Sequence, residues 1–514
     1  MRRSWLISTV FVSATSIACT ALLGDYNTNG TATVNGEGGT SGGPGGCADT
    51  EKTCGGTCVS KADPNAGCAT AVCTPCAAMT NAAPACKAGG CSFTCNAGFD
   101  DCDGNPANGC EAKTSSDAAN CGKCGDPCGA TNTTSTALCM AGKCAFTCNA
   151  GFAHCSSTNA TGCETSIEKD PLNCGACGHS CLGGACTKGK CEPFQLASTS
   201  SPSGLAVDKT HVYFTAPSLG TIDRVQRDGT CMPASPCPQA FAGAGAGDPI
   251  SGPQTRGATA IVSDGTDVYW TADAAGLVVK RSATLPPGPL KTLGSAVSTA
   301  PGYLALGGGK LWWTTGFANV DNAPHVRGVN PDGTALTTVA SYGAPIAQFA
   351  GRGGVATDGT SVYWASEKVS AVYHAAFADP ACGEGPSSSV PCKTYGGGAA
   401  NPYGVAVDDT FVYWTEPGSG IVKRAPKAGG AVSFVATGQD TPQAIAVMGT
   451  FVYWGNNLAA GGSIRRAPQV AATCAAAACE KVADVGAPDS IIAADDGLYW
   501  VNNRSNGGVF RLAK

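Results

Sequence analysis

From residue 193 onward, the chain alternates short apolar runs with turns rich in Gly, Pro and Asp. The runs contain many β-branched and aromatic residues, which is typical of β-strands, and they are too short for helices. Seven of them carry an aromatic pair: Tyr213-Phe214, Tyr269-Trp270, Trp312-Trp313, Tyr363-Trp364, Tyr413-Trp414, Tyr453-Trp454 and Tyr499-Trp500. The steps between pairs are 56, 43, 51, 50, 40 and 46 residues. This recurrence predicts a β-propeller over residues 193–514, in which each repeat forms one four-stranded blade.

The repeat around Tyr413-Trp414 shows the strands that we predict for a blade. They are residues 404–408, 411–415, 421–425 and 431–436. Their apolar residues are continuous rather than alternating, which indicates strands that are buried on both faces by neighbouring blades. The predicted fold class is all-β, with seven blades and with six as the alternative.

The two ends of the repeat array predict how the ring closes. The last repeat stops at residues 508–511, which correspond to a third strand, so its outer strand is missing. Residues 193–198 form an apolar segment that belongs to no repeat. We expect this segment to supply the missing strand and to remove an open sheet edge.

Residues 47–191 are different in character, since they contain 24 of the 31 cysteines and few large apolar residues. Eight cysteines recur 53 residues later with identical spacing, which indicates an internal duplication. Such a region needs covalent links to fold, so we predict a loop-dominated, disulfide-rich region. Zinc ligation by the Cys-x-x-Cys pairs is the alternative.

Six further cysteines fall in the repeat array, in three close pairs. Each pair follows an aromatic pair at a similar distance and is predicted to form a disulfide between the third and fourth strands of a blade. The pairs are Cys231 with Cys237, Cys382 with Cys392, and Cys474 with Cys479.

The N-terminal residues predict export. Arg2 and Arg3 precede a short apolar stretch, as in a signal peptide over residues 1–18. Cys19 remains after the other thirty cysteines are paired, and it follows Ser16-Ile17-Ala18 in a segment that resembles a bacterial lipoprotein signal. This resemblance implies lipidation of Cys19 and a flexible tether over residues 19–46. Ordinary secretion is the alternative.

Composition excludes several classes of protein. The net charge is −5 and no long basic run is present, so we expect no nucleic-acid partner. A hydrophobic content of 43% argues against global disorder. The large number of cysteines favours an oxidising compartment.

Two family resemblances add to these predictions. The stretch Tyr413-Trp414-Thr415-Glu416, followed by the run from Gly420 to Arg424, resembles the YWTD repeat of low-density-lipoprotein-receptor-type propellers. That resemblance implies an extracellular binding scaffold. The Asn-Cys-Gly-x-Cys-Gly stretches at residues 120–125 and 173–178 resemble the stigma-specific protein domain, which implies a small extracellular module.

No catalytic motif is recognisable, so we predict no enzyme activity and no cofactor. A propeller hydrolase or lyase is the alternative, with His325 and either Glu367 or Glu416 as its groups. The Asp101-x-Asp103-x-Asn105 stretch suggests a calcium loop, but the second repeat lacks these residues, so we predict a structural turn and no metal.

A binding face is predicted at the loops between second and third strands, because binding residues concentrate on loops that a rigid scaffold holds. The loop over residues 315–325 belongs to this face. So do the candidate binding residues Asp273, Glu367, Glu416, Asn456 and Asn502. The alternative is that these residues only form turns.

One basic residue per blade also recurs in the third strands, as Arg224, Arg281, Arg327, His374, Arg424, Arg466 and Arg511. We interpret these residues as part of repeat packing, with an anion site in the channel as the alternative. The sequence as a whole predicts an exported, lipid-anchored outer-membrane or cell-surface protein whose propeller binds an extracellular protein or glycan. A purely structural spacer is a further alternative.

Overall fold

The computed structural model describes residues 46–514 except for short stretches. These stretches are residues 70–72, 159–160, 231–237, 244–253, 285–287, 295–300, 316–323, 343–352, 368–369, 385–389, 396–399, 459–460, 471–472 and 476–477. The chain forms two compact units, one ending at Glu111 and the other beginning at Ala112. Among the described residues, no helix is long and apolar enough to cross a membrane.

The first unit consists of two antiparallel hairpins joined by loops and disulfides. Its elements are β1 (Glu51–Cys54), β2 (Thr57–Ser60), a 3-10 helix (Pro64–Ala66), β3 (Ala82–Lys87) and β4 (Gly90–Cys95). Its disulfides are Cys47–Cys58, Cys54–Cys73, Cys68–Cys86, Cys76–Cys91 and Cys95–Cys110.

The second unit begins with further cysteine-rich hairpins. They are formed by β5 (Leu138–Met140), β6 (Lys143–Ala145), β7 (Phe152–Ala153), β8 (Thr165–Ser166), β9 (Cys186–Thr187) and β10 (Lys190–Cys191). The disulfides are Cys121–Cys139, Cys128–Cys144, Cys148–Cys163, Cys155–Cys177, Cys174–Cys186 and Cys181–Cys191. Every cysteine that the structure describes is disulfide-bonded, which confirms the predicted disulfides over zinc ligation.

The duplicated cysteines share one connectivity. Cys121–Cys139 and Cys148–Cys163 lie 53 residues after Cys68–Cys86 and Cys95–Cys110, and they link equivalent positions. Half-cystines such as Cys121, Cys163 and Cys174 are fully buried. Sulfur atoms therefore replace the large apolar side chains that these repeats lack.

The remainder of the second unit is a seven-bladed propeller, as predicted. Blade 1 contains β12 (Leu205–Val207), β13 (His211–Ala216), β14 (Thr221–Gln226) and β15 (Gln239–Ala242). Blade 2 contains β16 (Ala258–Ser263), β17 (Asp267–Ala272), β18 (Leu277–Ser282) and β19 (Lys291–Gly294), with a 3-10 helix at Asp273–Ala275. Blade 3 contains β20 (Pro301–Gly307), β21 (Lys310–Thr315), β22 (Pro324–Val329) and β23 (Thr337–Tyr342).

Blades 4 to 6 repeat this order. Blade 4 contains β24 (Val355–Thr357), β25 (Ser361–Ser366), β26 (Ala371–Ala376) and β28 (Lys393–Tyr395), with β27 (Cys382–Glu384) in the loop before β28. Blade 5 contains β29 (Val405–Val407), β30 (Phe411–Glu416), β31 (Ile421–Pro426) and β32 (Ser433–Thr437). Blade 6 contains β33 (Pro442–Met448), β34 (Phe451–Asn456), β35 (Ser463–Pro468) and β37 (Glu480–Asp484), with β36 (Cys474–Ala475) before β37.

Blade 7 is shared between the two ends of the propeller sequence. It contains β38 (Pro488–Ala493), β39 (Gly497–Asn502) and β40 (Gly507–Ala513), and its outer strand is β11 (Phe194–Thr199). β11 pairs antiparallel with β40, with Phe194 opposite Arg511 and Thr199 opposite Gly507. The predicted closure by the N-terminal segment is therefore confirmed.

The aromatic pairs stack the blades. Adjacent residues of a strand point to opposite faces of the sheet, so the two aromatic residues of a pair face different neighbours. In each of the seven interfaces, the first aromatic residue of one blade shares a buried cluster with the second aromatic residue of the next. The pairs are Tyr213 with Trp270, Tyr269 with Trp313, Trp312 with Trp364, Tyr363 with Trp414, Tyr413 with Trp454, Tyr453 with Trp500, and Tyr499 with Phe214.

Two disulfide loops connect neighbouring blades. Cys382 is bonded to Cys392 and Cys474 to Cys479, between the third and fourth strands of blades 4 and 6. Their short strands β27 and β36 pair in parallel with β23 and β32, the outer strands of the preceding blades. These loops therefore fasten one blade to the previous one, whereas the sequence suggested stapling within a blade. Cys231 and Cys237 lie outside the described residues.

The cysteine-rich segment at the start of the second unit contacts the closing strand β11 and the C-terminal end of β40. His179 Nε2 lies 2.5 Å from the carbonyl oxygen of Lys514, and the Arg511 guanidinium donates to the carbonyl of Leu182. The ring of Phe194 packs against Gly183, at 3.4 Å from the position that a Cβ atom would take there. Residues 112–191 and the propeller thus lie within the same compact unit.

Candidate functional site

The propeller has two faces with different loops. Because neighbouring strands are antiparallel, the inner strands begin at the face that also carries the loops between second and third strands. We call this the front face; it includes Asn457 and Asn503. The opposite, back face carries the turns between first and second strands, such as the turn at Asp408, and the disulfide loops.

Each blade carries the same irregularity at the front face. At the start of the inner strand, two consecutive residues oppose one residue of the second strand, which is a β-bulge. Register shifts show it in blades 2, 3, 6 and 7, and matching hydrogen bonds around Thr215, Ala365 and Thr415 show it in blades 1, 4 and 5. β-bulges re-aim side chains and are common beside functional sites.

The threonine that follows several aromatic pairs is the residue opposite the bulge, and its hydroxyl group bonds the bulge. The Thr215 hydroxyl accepts a 2.8 Å hydrogen bond from Gly204 N, and the Thr415 hydroxyl accepts one of 2.9 Å from Gly404 N. The Thr415 hydroxyl also donates to the carbonyl of Gln443 in the next blade, at 2.7 Å. The threonine therefore holds the bulge and links two blades.

The second bulge residue is small in six of the seven blades because the next blade packs against it. A Cβ atom on Gly204 would lie 2.4 Å from the carbonyl oxygen of Thr259, and one on Gly404 would lie 2.2 Å from that of Gln443. Backbone atoms cannot yield by such amounts, so these positions are fixed by packing.

The first bulge residue, in contrast, differs from blade to blade. From blade 1 to blade 7 it is Ser203, Thr259, Gly302, Gly353, Tyr403, Gln443 and Asp489. A residue that serves packing in every blade recurs at its position, as the aromatic pairs do. In blade 4 packing also fixes this position, because a Cβ atom on Gly353 would lie 1.9 Å from the carbonyl oxygen of Ala365. In the other blades the residue varies and is available for function.

The first bulge residues, except Gly353, line a cavity of about 380 Å³ at the front end of the central channel. This volume is within the range of small-ligand pockets. Aliphatic side chains of the inner strands, including Leu205, Ile445 and Ile491, form its deeper wall. The site therefore combines an apolar floor with a ring of mostly polar groups.

Blades 6, 7 and 1 form a polar arc on one side of the cavity. Asn503 Nδ2 donates to Asp489 Oδ2 at 3.2 Å, and Ser203 Oγ donates to the same oxygen at 2.8 Å. In blade 6, Asn457 Nδ2 donates to Gln443 Oε1 at 2.6 Å. An asparagine that follows the second strand thus holds the first bulge residue in both blades.

Blades 3 and 5 place an aromatic pair on the other side. The hydroxyl of Tyr303 lies 2.7 Å from that of Tyr403, and the two rings meet edge to face with centroids 5.8 Å apart. Blade 4, which lies between them, contributes the glycines Gly353 and Gly354. The absence of side chains there leaves room for the two tyrosines to meet.

Among the described residues that line the cavity, Asp489 is the only acidic one, and none is Lys, Arg or His. Burial raises the pKa of its carboxyl, against the hydrogen bonds from Ser203 and Asn503, which lower it. Removal of a carboxylate from water disfavours its charged form, and no cation among the lining residues compensates.

The structure places three of the predicted binding residues inside the blade interfaces. Glu416, Asn456 and Asn502 are 1%, 3% and 9% exposed. Glu416 accepts hydrogen bonds from the Trp414 indole at 2.9 Å and lies 2.8 Å from Lys423 Nζ. This differs from the prediction, because the last residue of the second strand still pairs with its neighbours and faces the adjoining blade.

The remaining predicted binding residues are at the front face but do not line the cavity. Asp273 begins the 3-10 helix of blade 2, and its amide donates to the carbonyl of Gly257 at 3.3 Å. Glu367 is partly buried, and burial raises its pKa. Most of the 315–325 loop lies outside the described residues.

None of the five histidines lines the cavity. His325 forms a fully buried pair with Glu384, which also accepts a 2.7 Å hydrogen bond from the Trp364 indole. The structure thus does not bring His325 to Glu367 or Glu416, the partners considered for a lyase. The pair instead connects β22 of blade 3 to β27 and β25 of the blade 4 repeat.

The basic residues of the third strands do not line the cavity either. Arg224 is buried and donates to the carbonyl of Ala283 in blade 2, at 3.3 Å. Arg281 in turn donates to the carbonyl of Phe241 in blade 1, at 2.6 Å. These contacts agree with a role in blade packing.

In the first unit, the carboxylates of Asp101, Asp103 and Glu111 lie within 4.8 Å of one another. Glu111 accepts hydrogen bonds from the backbone amides of Cys102 and Asp103, and Asp101 accepts one from that of Gly104. The acidic groups thus stabilise the turn themselves.

No protein-family model matches the chain, and no curated protein is significantly similar to it. A streptogramin B lyase structure is 16% identical with a TM-score of 0.46, covering 62% of this chain and 97% of that one. Virginiamycin B lyase from Staphylococcus aureus is 15% identical with a TM-score of 0.45, covering 63% and 98%. A nidogen/laminin complex is 16% identical with a TM-score of 0.36, covering 54% and 93%. These values are too low to carry an argument about function.

Proposed function

We propose that this chain is an exported surface protein whose propeller binds an extracellular glycan or protein at the front-face cavity. The observation that supports this proposal is the difference between recurring and varying positions at the bulges. The aromatic pair repeats in every blade, and the second bulge residue is small in six of the seven blades, so these positions serve the packing of the ring. The first bulge residue varies, and in five blades it adds a side chain to the lining of a cavity of ligand size.

The disulfides support the proposed location. Every described cysteine is bonded, and such cross-linking persists only in oxidising compartments. The proposal includes lipidation of Cys19, which predicts an outer-membrane or cell-surface protein; secretion without an anchor is the alternative. Mass spectrometry of the mature N-terminus distinguishes them, since a chain that starts beyond residue 19 excludes the anchor.

A propeller hydrolase or lyase is the second candidate, and Asp489 is the observation that favours it. A carboxyl whose pKa is raised by burial is suited to general acid–base chemistry. The lining residues that the structure describes include no His, Lys or second carboxylate as a partner for it, which supports binding over turnover.

The test is a binding screen of the mature chain against glycans and extracellular proteins, with turnover followed for every ligand found. The Thr259→Trp variant fills the cavity, because Thr259 is a lining residue, and should abolish binding. Asp409→Trp, at an exposed turn of the back face, is the matched control and should bind normally. Equal binding by both variants, or loss in the control alone, contradicts the proposal.

A further inference from the structure

The cavity presents one oxygen atom that its own residues leave available. Both side-chain hydrogen bonds to Asp489, from Ser203 and from Asn503, end on Oδ2. The structure shows no hydrogen bond from any described residue to Oδ1. The carboxylate is thus held in a fixed orientation through one oxygen while the other remains for a ligand.

Among the described residues, no cation compensates the negative charge of the cavity. No described residue forms an ion pair with Asp489, and the three inner strands β38, β33 and β12, which pack side by side here, contribute no cation to the lining. Removal of a carboxylate from water is costly when no cation faces it, and a cationic group in the cavity would reduce that cost. A hydrogen bond between two charged groups is also stronger than a neutral one.

The remaining lining groups suit a polyhydroxylated ring. The Gln443 amide, whose oxygen accepts a hydrogen bond from Asn457, offers a polar group beside Asp489, and Tyr303 and Tyr403 offer aromatic surface on the opposite side. An amphipathic ring with hydroxyl groups along its edge can use both sides at once.

From this arrangement we infer that the cavity binds an amino sugar, whose protonated amine pairs with Oδ1 of Asp489. The inference rests on the proposed binding function and specifies its ligand. A sugar whose amine is acetylated has the same ring but no charge, so it should bind less well. The Asp489 carboxylate is thereby the residue that determines specificity.

The experiment uses two matched ligands and three forms of the mature chain. Glucosamine oligosaccharides and their N-acetylated counterparts of equal length are titrated calorimetrically into the wild type, Asp489→Asn and Asp409→Asn. We expect the wild type and Asp409→Asn to bind the free amine about tenfold or more tightly than the acetylated form. In Asp489→Asn this preference should disappear.

Folding is checked in the same samples. Asparagine can accept the hydrogen bonds from Ser203 and Asn503, so Asp489→Asn should keep the melting temperature of the wild type. Equal affinity of the wild type for both ligands, or a preference that survives in Asp489→Asn, overturns the inference. Binding of lysine-containing peptides in place of sugars also overturns it, although the proposed binding function then stands. A chain that captures neither glycan nor protein contradicts the proposed function itself.

Discussion

Ser203 Oγ donates a 2.8 Å hydrogen bond to Asp489 Oδ2 across 286 residues of sequence. Ser203 belongs to blade 1 and Asp489 to blade 7, so the bond crosses the junction at which the ring closes. The polar arc of the cavity is therefore complete only when the closing strand holds the two blades together.

Leu196→Ala tests this dependence. Leu196 is buried in the closing strand, in a cluster with Tyr499 and Phe214. Its truncation should lower the free energy of unfolding by about 2–4 kcal/mol, measured by urea denaturation. Ser198→Ala, at an exposed position of the same strand, is the control and should have little effect. Equal stability of the two variants contradicts the role of this strand in closure.

Thr415→Val tests whether the Thr415 hydroxyl stabilises the bulge of blade 5 and its contact with blade 6. The substitution keeps the shape of the side chain but removes the hydroxyl that bonds Gly404 N and the carbonyl of Gln443. Loss of two buried hydrogen bonds should lower the free energy of unfolding by about 1–3 kcal/mol. Thr415→Ser retains the hydroxyl and should be clearly more stable than Thr415→Val in the same thermal melts. The reverse order contradicts the contacts.

Glu416→Ala should act on stability rather than directly on a ligand. The substitution leaves Lys423 without the carboxylate that lies 2.8 Å away, in a blade interface where Glu416 is almost fully buried. We expect a loss of about 2–4 kcal/mol in chemical denaturation. Glu416→Gln, which keeps the hydrogen bond to Trp414, should lose less. Reduced ligand capture with an unchanged melting temperature instead favours the direct role suggested by the sequence.

Asp223 provides a pH test of the blade 1 core. Burial raises the pKa of Asp223 from its ordinary value of 3.8 to about 6, while a 3.0 Å hydrogen bond from Thr221 opposes the rise. The folded state then holds a proton that the unfolded state releases, so stability falls as pH rises from about 4 to about 6. Asp223→Asn removes this contribution to the pH dependence of the unfolding free energy.

The measurement for Asp223 is the difference in unfolding free energy between Asp223→Asn and the wild type across that pH range. The difference should shift in favour of the variant by about 2–3 kcal/mol between pH 3.5 and pH 7. A difference that stays constant with pH contradicts the raised pKa.

The disulfide loops can be tested against each other. A Cys474→Ser and Cys479→Ser double variant releases β36 from the outer strand of blade 5, so amide exchange in Ser433–Thr437 should accelerate. The equivalent change at Cys382 and Cys392 should accelerate exchange in Thr337–Tyr342 and leave blade 5 unchanged. Faster exchange only within blades 6 and 4, respectively, contradicts the link between blades.

The sequence predicted the scaffold because scaffold positions repeat. Tyr413 and Trp414 recur in spacing and in role, and the observed strands of blade 5 lie within two residues of the predicted ones. We predicted closure of the ring because the last repeat lacks its outer strand and the apolar segment 193–198 belongs to no repeat. Each of these predictions needed only a comparison of one repeat with the next.

The cavity was not predicted, because its residues are those that do not repeat. Ser203, Gln443 and Asp489 have no common chemistry, and the bulge that aims them into the channel changes the register by one residue. For the same reason, the predicted residues Asn456 and Asn502 are buried, whereas their neighbours Asn457 and Asn503 donate hydrogen bonds to the lining residues Gln443 and Asp489. A variable residue followed by Gly, Ala or Ser at the start of the inner strand, in six of the seven blades, was the signal that could have found the site.

The strand that closes the propeller is also the strand to which the cysteine-rich segment is attached. A mechanical pull through that segment would enter the propeller at Phe194, the first residue of β11. There, Arg511 lies over the Phe194 ring and bonds the carbonyls of Leu182 and Asp228. These contacts link the cross-linked region, blade 1 and β40 at the point where the force would enter. They would therefore bear part of the force, and the hydrogen bonds between β11 and β40 would bear less of it. The propeller can be held under force from its back face while the cavity points away from the attachment.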